Sequence, residues 1–451
     1  MKAVVCVKVV NGELNPFDAC ALECALGIDN AEITVVTMGP KSAANALSMI
    51  SRLDVSEVVL LNDPLLAGSD TLATSYALSL FIKRINPDIV LCGRQSIDGD
   101  TAQVGPCLAE KLGFGLITNA MSVEVSADTV SCMTRQEKES AALPAVVTVE
   151  RFNTLRFPRI GSKPKEVKIL SASDIGADVS RCGIKGSPTR VLKTFENHSG
   201  ERKCQFISFA ELDDAIRYAL NKKKEQIPNN ESDEKLKRIV AIGDELKQRA
   251  KLLADEVKVI QPQDYRTIAE LIKDEEVVLW NADLWGRRNA PRVAALLNTG
   301  LCADCTHLET DGKKLFMYRP AFGERLIAKI ECLSNPQMAT VRTVSHAKNN
   351  IIFGFGKGTL ENPEAYKKLA KKYNAEIGMS RAMIDMNAGD YSMQIGLTGK
   401  SISSDVYVAC GISGAVQHVC AIENVGTVIA INPDKNAEIF EFADYGIIGK
   451  L

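Results

Sequence analysis

Residues 405–434 read DVYVACGISGAVQHVCAIENVGTVIAINPD, the stretch of this chain densest in groups that could do chemistry. An apolar β-branched run, VYVAC, leads into GISG, a helix is expected from about Ala415, and a second strand, TVIAIN, ends in Asn432-Pro433-Asp434. Glycine at 411 and 414 lets backbone amides approach a ligand closely, and a helix start adds free N–H groups and the positive end of a dipole. That combination suits a pyrophosphate or another anion. His418 falls on the first turn, where an imidazole can point at the same ligand, although a lone histidine in such a place is more often structural.

Upstream, residues 378–400 read GMSRAMIDMNAGDYSMQIGLTGK, in which Ser380 and Arg381 follow a strand end and Thr398 stands between Gly396 and Gly399. An Arg and a hydroxyl beside an anion-binding helix suit an aromatic cofactor that becomes negative on reduction. Taken singly, each reads as a surface Arg or a turn Thr. The run NIIFGFGKG at 350–358 has the form of strand, glycine turn and helix start. Its spacing is GxGxG rather than GxGxxG, so alone it is weak evidence for a nucleotide. Cys302 and Cys305 make one CxxC without a second pair, in a chain with four histidines, so a structural zinc lacks ligands and no metal is expected. No Ser-His-Asp or paired-carboxylate arrangement has a persuasive context.

The elements that must position these groups follow from patterning. The short runs at 3–10, 32–38, 57–61 and 88–92 alternate with stretches of helical spacing, which predicts an α/β fold with a parallel sheet. Residues 115–150 change character, with alternating segments at 119–125 and 129–135 and the run LPAVVTVE at 143–150, which predicts an antiparallel flap on that sheet. ALNKKKEQIPNNESDEKLKR at 219–238 reads as a linker, and beyond it the α/β rhythm restarts at RIVAIG. LGFGLITNAMSVEV (112–125) can be laid on LNTGLCADCTHLET (297–310), and LPAVVTVE on NPQMATVR (335–342), which reads as an internal duplication. Chance recurrence of Gly-Leu and Pro-strand punctuation is the competing explanation.

Composition bounds the function. The chain has 451 residues, 46% of them hydrophobic and 24% charged, with a net charge of −2, so it is ordinary globular protein of two to three domains. There is no basic field for nucleic acid or anionic lipid. Thirteen cysteines in apolar runs read as reduced thiols, hence a cytoplasmic location. The N-terminal apolar stretch is too short for a signal segment, and nothing approaches the ~18 apolar residues of a membrane span.

GMSRAMID, QIGLTGK, VACGISGAVQH, AINPD and FADYGIIG, in that order, resemble the successive signature segments of the α subunit of electron-transfer flavoproteins, and GRRNAPRVAALLNTGLCADCT, RPAFGERLIAKI and PQMATVR resemble its first domain. The N-terminal half resembles the β subunit through VKVVNGELNPFDACALECAL, VTMGP, CGRQSIDGDTAQVGP, LPAVVTVERFNTLRFPRI and GIKGSPTRVLKTF. The chain is therefore similar to a β–α fusion over nearly its whole length. The resemblance implies two related nucleotide-binding-type α/β domains plus a C-terminal Rossmann-like FAD-binding domain. Their expected bounds are 1–195 for the β-like domain, 196–236 for its arm and the linker, 237–345 for the α-like first domain and 346–451 for the FAD-binding domain.

It further implies that Arg381 lies over the flavin, that Thr398 hydrogen-bonds the N5 region and that His418 faces the O2/N1 edge. Ser413 and Gln417 would stand close by, as would Ser380, Gln394, Gly396, Gly399, Gly411 and Gly414, with Asn432 and Asp434 on the adenosine or ribityl side. In the β-like half, Cys6, Asn15, Met38 and Gly39, together with Ser96, Asp100, Thr101, Gln103 and Val104, match positions around a second nucleotide, AMP in simple members and FAD in the electron-bifurcating branch. The expected function is single-electron shuttling between a flavin-dependent dehydrogenase and an acceptor oxidoreductase, by a monomer equivalent to an αβ pair. NADH oxidation at a second FAD and a redox-inactive nucleotide-binding scaffold are the alternatives. Departures are Leu397 where the family has a glutamine, Gly449-Lys450-Leu451 where it has an acidic GDL, and an α-like first domain expected to lack its opening strand and helix. RFPRI (156–160) resembles the partner-recognition loop, with Ile160 at its tip.

Overall fold

Runs such as KAVVC, EITVVTM and AVVTV are apolar on both faces of a strand, so they are stable only inside a sheet covered by helices on either side. The computed structural model, which describes residues 1–196, 202–221, 234–322, 325–347, 350–422 and 424–451, contains three such parallel sheets. By compactness the chain divides into two units. One comprises 1–195, 230–322 and 327–341, and the other 196–229, 323–326 and 342–451.

In the first unit, the larger sheet runs Val167–Leu170, Glu57–Leu61, Glu32–Met38, Lys2–Cys6, Ile89–Gly93, Ala145–Val149, Gly115–Ala120. The smaller runs Ala254–Ile260, Leu236–Ile242, Val277–Asn281, Gln337–Val341, Leu301–Cys305. Set aside Glu57–Leu61 and Val167–Leu170 and the two orders coincide. The likeness extends to single atoms. The pairing of Ala145–Val149 with Gly115–Ala120 shifts register, and so does that of Gln337–Val341 with Leu301–Cys305. In the first, Asn119 has φ +61° and its N–H donates to Thr148 Oγ1 at 3.0 Å; in the second, Asp304 has φ +56° and its N–H donates to Thr340 Oγ1 at 2.8 Å. One plan is used twice.

The expected antiparallel flap is narrower than the sequence suggests. Only Glu124–Val125, Thr129–Met133 and Lys138–Ala142 are antiparallel. Gly115–Ala120 and Ala145–Val149 join the parallel sheet, because AVVTV is buried along its whole length and needs neighbours on both edges. Of the expected linker, 222–233 lie outside the described residues.

In the second unit the sheet runs Gln205–Phe206, Tyr445–Ile448, Thr427–Asn432, Val406–Cys410, Ile351–Phe355, Glu376–Met379. The arm that follows the β-like domain thus supplies its edge strand, and Leu212 and Ile216 of helix Leu212–Asn221 share a core with Phe353 and Phe355. The helix expected from Ala415 is a single turn, Val416–Val419, so it brings little of the dipole anticipated for it. None of the cysteines is paired in a disulfide, and no helix among the described residues is long and apolar enough to cross a membrane.

Candidate functional site

Ligands of open parallel sheets sit beyond the carboxyl ends of the strands, where the strand order reverses. In the second unit that place lies past Phe355 and Cys410. Ser380 follows Glu376–Met379, and its N–H donates to the Phe355 carbonyl at 2.9 Å. Arg381 opens the short helix Arg381–Asp385, and its Nε lies 3.4 Å from the Asp385 carboxylate, with about 35% of the arginine side chain exposed. The chain then returns to the same end, since the Ile395 N–H donates to the Met379 carbonyl at 2.9 Å. This brings in Gln394 and the turn through Gly396, Thr398 and Gly399. Gln394 is buried; its Nε2 lies 2.6 Å from Thr398 Oγ1, and its Oε1 has no partner among the described residues.

Two backbone bonds strap this turn to the segment after Cys410: Leu397 N–H to the Gln417 carbonyl at 2.7 Å, and Ile402 N–H to the Ala421 carbonyl at 2.8 Å. Ser413 and Gln417 are exposed beside it. Asn432 spends its side chain on the loops, donating from Nδ2 to the Ile412 carbonyl at 2.8 Å and accepting the Asp434 N–H at 2.9 Å, which leaves Asp434 exposed. The glycines have a packing cause that sequence reasoning did not supply. Gly411, at φ +59°, lies with its Cα against Gly358, and a Cβ on Gly414, at φ +101°, would stand 2.1 Å from the Ile439 amide nitrogen. Only bare backbone fits there.

His418 is buried, with Nε2 2.7 Å from the Tyr407 hydroxyl and Nδ1 3.2 Å from the Ile395 carbonyl oxygen. Burial pushes its pKa down to about 4, against the hydrogen bond to Ile395. The ring is therefore neutral at pH 7, and both its nitrogens are engaged inside the protein. Tyr407 and Asp385 were missed by sequence reasoning; the signal for Tyr407 was a phenol in an otherwise aliphatic strand.

The residues fit a flavin nucleotide. Among the described residues, no hydrogen bond runs from the N–H of Ser413, Gly414 or Ala415 to a protein group, and Gln394 Oε1 is an orphaned acceptor. Gln394 Oε1 is a buried acceptor in want of a donor such as the N–H of a flavin ring, and the N–H groups of 413–415, with Ser413 and Ala415 at the surface, are open to the oxygens of a pyrophosphate.

In the first unit the corresponding place lies between Lys2–Cys6 and Ile89–Gly93. Asp18 closes its floor, accepting the Lys8 N–H and the Gly93 N–H, each at 2.8 Å. Burial pushes Asp18 up to about 6, against hydrogen bonds from Asn15 and from those two amides. Asn15 donates to the Gln95 carbonyl at 2.8 Å and accepts the Ile97 N–H at 3.3 Å, Gln95 donates to Asp100 at 2.9 Å, and Lys8 holds Asp98 at 2.6 Å. Cys6, Met38 and Gly39 stand at neighbouring strand ends, with Ser96, Thr101 and Val104 on the same loop and helix start. The thiol of Cys6 is buried next to Asp18, and burial raises its pKa.

Gln103 is used differently from the expectation. Its Oε1 accepts from Thr71 at 2.6 Å and its Nε2 donates to the Leu301 carbonyl at 3.1 Å, so it ties helix Thr71–Ile85 to strand Leu301–Cys305 rather than offering a free amide. Arg319, also missed, is 5% exposed and donates to the carbonyls of Ala303 and Gly99 at 2.8 and 2.6 Å. An Arg within the strand-like run LFMYRPA was the available signal.

A family profile described as the electron transfer flavoprotein domain matches residues 3–175 and again 239–369, and one described as the electron transfer flavoprotein FAD-binding domain matches 344–423. The chain is 43% identical over 193 residues to the electron transfer flavoprotein subunit beta of Clostridium acetobutylicum, covering 40% of this chain and 74% of that subunit. It is 37% identical over 235 residues to the subunit alpha of Thermoanaerobacterium thermosaccharolyticum, covering 41% of this chain and 71% of that subunit. Protein FixA of Azorhizobium caulinodans is 38% identical over 219 residues, with 44% of this chain and 78% of that protein covered.

Proposed function

Because the chain belongs to the electron transfer flavoprotein family, with β-like and α-like parts in one polypeptide and an FAD-binding domain at its C-terminal end, we propose that it carries single electrons from a flavin-dependent dehydrogenase to a separate acceptor oxidoreductase. The observation that carries this reading is the meeting of Ser380–Arg381, Gln394–Gly399, Gly411–Gln417 and Asn432–Asp434 at one reversal point of one sheet. FAD, when bound, supplies the chemistry of taking up and releasing electrons one at a time. The residues bind and tune it. Arg381 would supply a cation to the flavin, Thr398 and Gln394 a hydroxyl and an amide for its polar edge, and the N–H groups of 413–415 would hold the pyrophosphate. Gln417 lines the rim, and Asp434, whose Oδ1 accepts the Asn436 N–H at 2.9 Å, offers its other carboxylate oxygen to a ribose or ribityl hydroxyl. His418 belongs to the same wall.

The β-like crevice takes a second nucleotide, bounded by Cys6, Asn15, Met38, Gly39 and the 96–104 loop. Partner recognition falls to the loop that carries Phe157 and Ile160, whose side chains are 91% and 105% exposed while Arg156 is pinned to Glu23 at 2.7 Å. Exposed apolar tips on a pinned loop suit docking rather than folding.

Denaturing the purified protein and identifying the released nucleotides by mass spectrometry tests the reading. One FAD with one AMP is expected of a simple carrier, and two FAD, together with bleaching by NADH alone, would extend the proposal to electron bifurcation. A colourless protein that takes up no FAD would overturn it.

A further inference from the structure

Arg181 lies over the Tyr76 ring, its guanidinium carbon 4.1 Å from the centroid, and its Nη2 donates to Asn298 Oδ1 at 3.4 Å. Both partners are uncharged, so they aim the guanidinium without neutralising it. Tyr76 is itself fixed, since its hydroxyl accepts the Asp178 N–H at 3.0 Å, and Asn298 ends helix Leu284–Leu297 at φ +53°. With Lys185 and Leu333 these residues line a cleft of about 300 Å³ inside the first unit, between the β-like domain and the α-like first domain. Lys83 and Lys111 add to its charge. Burial pushes the Lys111 ammonium below its ordinary pKa, and Arg181 and Lys83 push it the same way, against Cys107 and Asp70. Among the described residues none of these four cations makes an ion pair. Two carboxylates stand near, but both are engaged by N–H and O–H groups: Asp70 caps helix Thr71–Ile85 and accepts from Thr189, and Asp178 accepts from Ser180. In a chain of net charge −2, four like charges drawn together without counter-charges repel one another, and an anion between them relieves that repulsion.

We propose that this cleft binds a small anion that carries a phosphate group. Arg181 presents the planar fork that fits two phosphate oxygens, Lys185 adds a point charge, and the field of Lys83 and Lys111 favours a dianion over a monocarboxylate. Leu72 and Leu333 offer apolar surface to the rest of the molecule. The volume stands at the low end of the roughly 300–1,000 Å³ of ligand pockets, which suits a phosphorylated small molecule rather than a protein surface. Tyr76, Arg181 and Lys185 come from one half of the chain and Asn298 and Leu333 from the other, so the anion also ties the halves together. None of the lining residues belongs to either nucleotide crevice, and the inference stands apart from the reading of both.

Isothermal titration calorimetry of the full chain with inorganic pyrophosphate, at low salt and with FAD and AMP added beforehand in excess, tests this. One site per chain is expected. Arg181→Ala combined with Lys185→Ala should weaken it at least about tenfold, as loss of a charge-assisted hydrogen bond predicts. Asn298→Gly keeps the left-handed backbone but frees the guanidinium, and should weaken binding several-fold. Lys368→Ala, on the exposed face of helix Pro363–Lys372, should bind as the wild type does. A wild type that takes up no pyrophosphate at millimolar concentration overturns the proposal. So does binding that is unchanged in the Arg181→Ala, Lys185→Ala protein. Binding of polyglutamate without binding of pyrophosphate overturns it too, and would make the cleft a docking face for an acidic protein. If the double variant does not fold, Arg181→Gln and Asn298→Gly decide.

Discussion

Arg381 does not act alone. Its Nε is 3.4 Å from Asp385, so part of the positive field it would lend to a reduced ring is cancelled. Removing that anion should make the site more attractive to electrons. Asp385→Asn is expected to raise the flavin midpoint potential, by on the order of 20 mV, while Arg381→Ala lowers it; a spectroelectrochemical titration that finds no change in Asp385→Asn would refute the pairing. Asp18 gives a second expectation, this time in stability. Burial raises its folded pKa to about 6, above the unfolded carboxylate value, so its contribution is present below about pH 4 and lost as pH rises through 6. Asn at this position does not titrate. The stability margin of wild type over Asp18→Asn should therefore shrink by about 2 kcal/mol between pH 4 and pH 7, as measured by urea denaturation. A margin that stays constant with pH would show that the carboxylate titrates normally.

Elements show where sequence reading succeeded and where it stopped. Strands such as Lys2–Cys6 and Thr427–Asn432 were legible because β-branched runs bounded by turn residues carry their own signal. The partners of Ala145–Val149 were not, since a run that is apolar on both faces fits either sheet direction. The duplication predicts more than strand order. Thr148 and Thr340 each accept the N–H of a left-handed residue at a register shift, so replacing either by Val leaves one donor without a partner, half-buried at Asn119 and buried at Asp304. Each change should cost about 1–3 kcal/mol, and because the two sites lie in different sheets the costs should add. A double variant well short of the sum in chemical denaturation would mean that the sites are coupled.

At the scale of the molecule, each unit draws on both sides of the β–α junction. Helix Val104–Leu112 packs on helix Leu284–Leu297, Arg288 pairs with Glu139 at 2.8 Å, strand Thr189–Glu196 joins the sheet of Leu326–Cys332, and Gln205–Phe206 pairs with Tyr445–Ile448. A chain divided between residues 227 and 228 and expressed as two pieces should therefore copurify as a one-to-one complex; separate elution would contradict these pairings. The order of the signature segments, and with it the family and the FAD-binding domain, was determined by the amino-acid sequence, because those signals are local runs of a few residues. Tertiary structure alone decided that Gln103 is a brace, that Gly411 and Gly414 are demanded by the loops packed on them, and that His418 is buried between Tyr407 and Ile395. Each of these depends on groups far apart in the chain meeting at hydrogen-bond or contact distance, and on the loss of water there, which no window of neighbouring residues encodes.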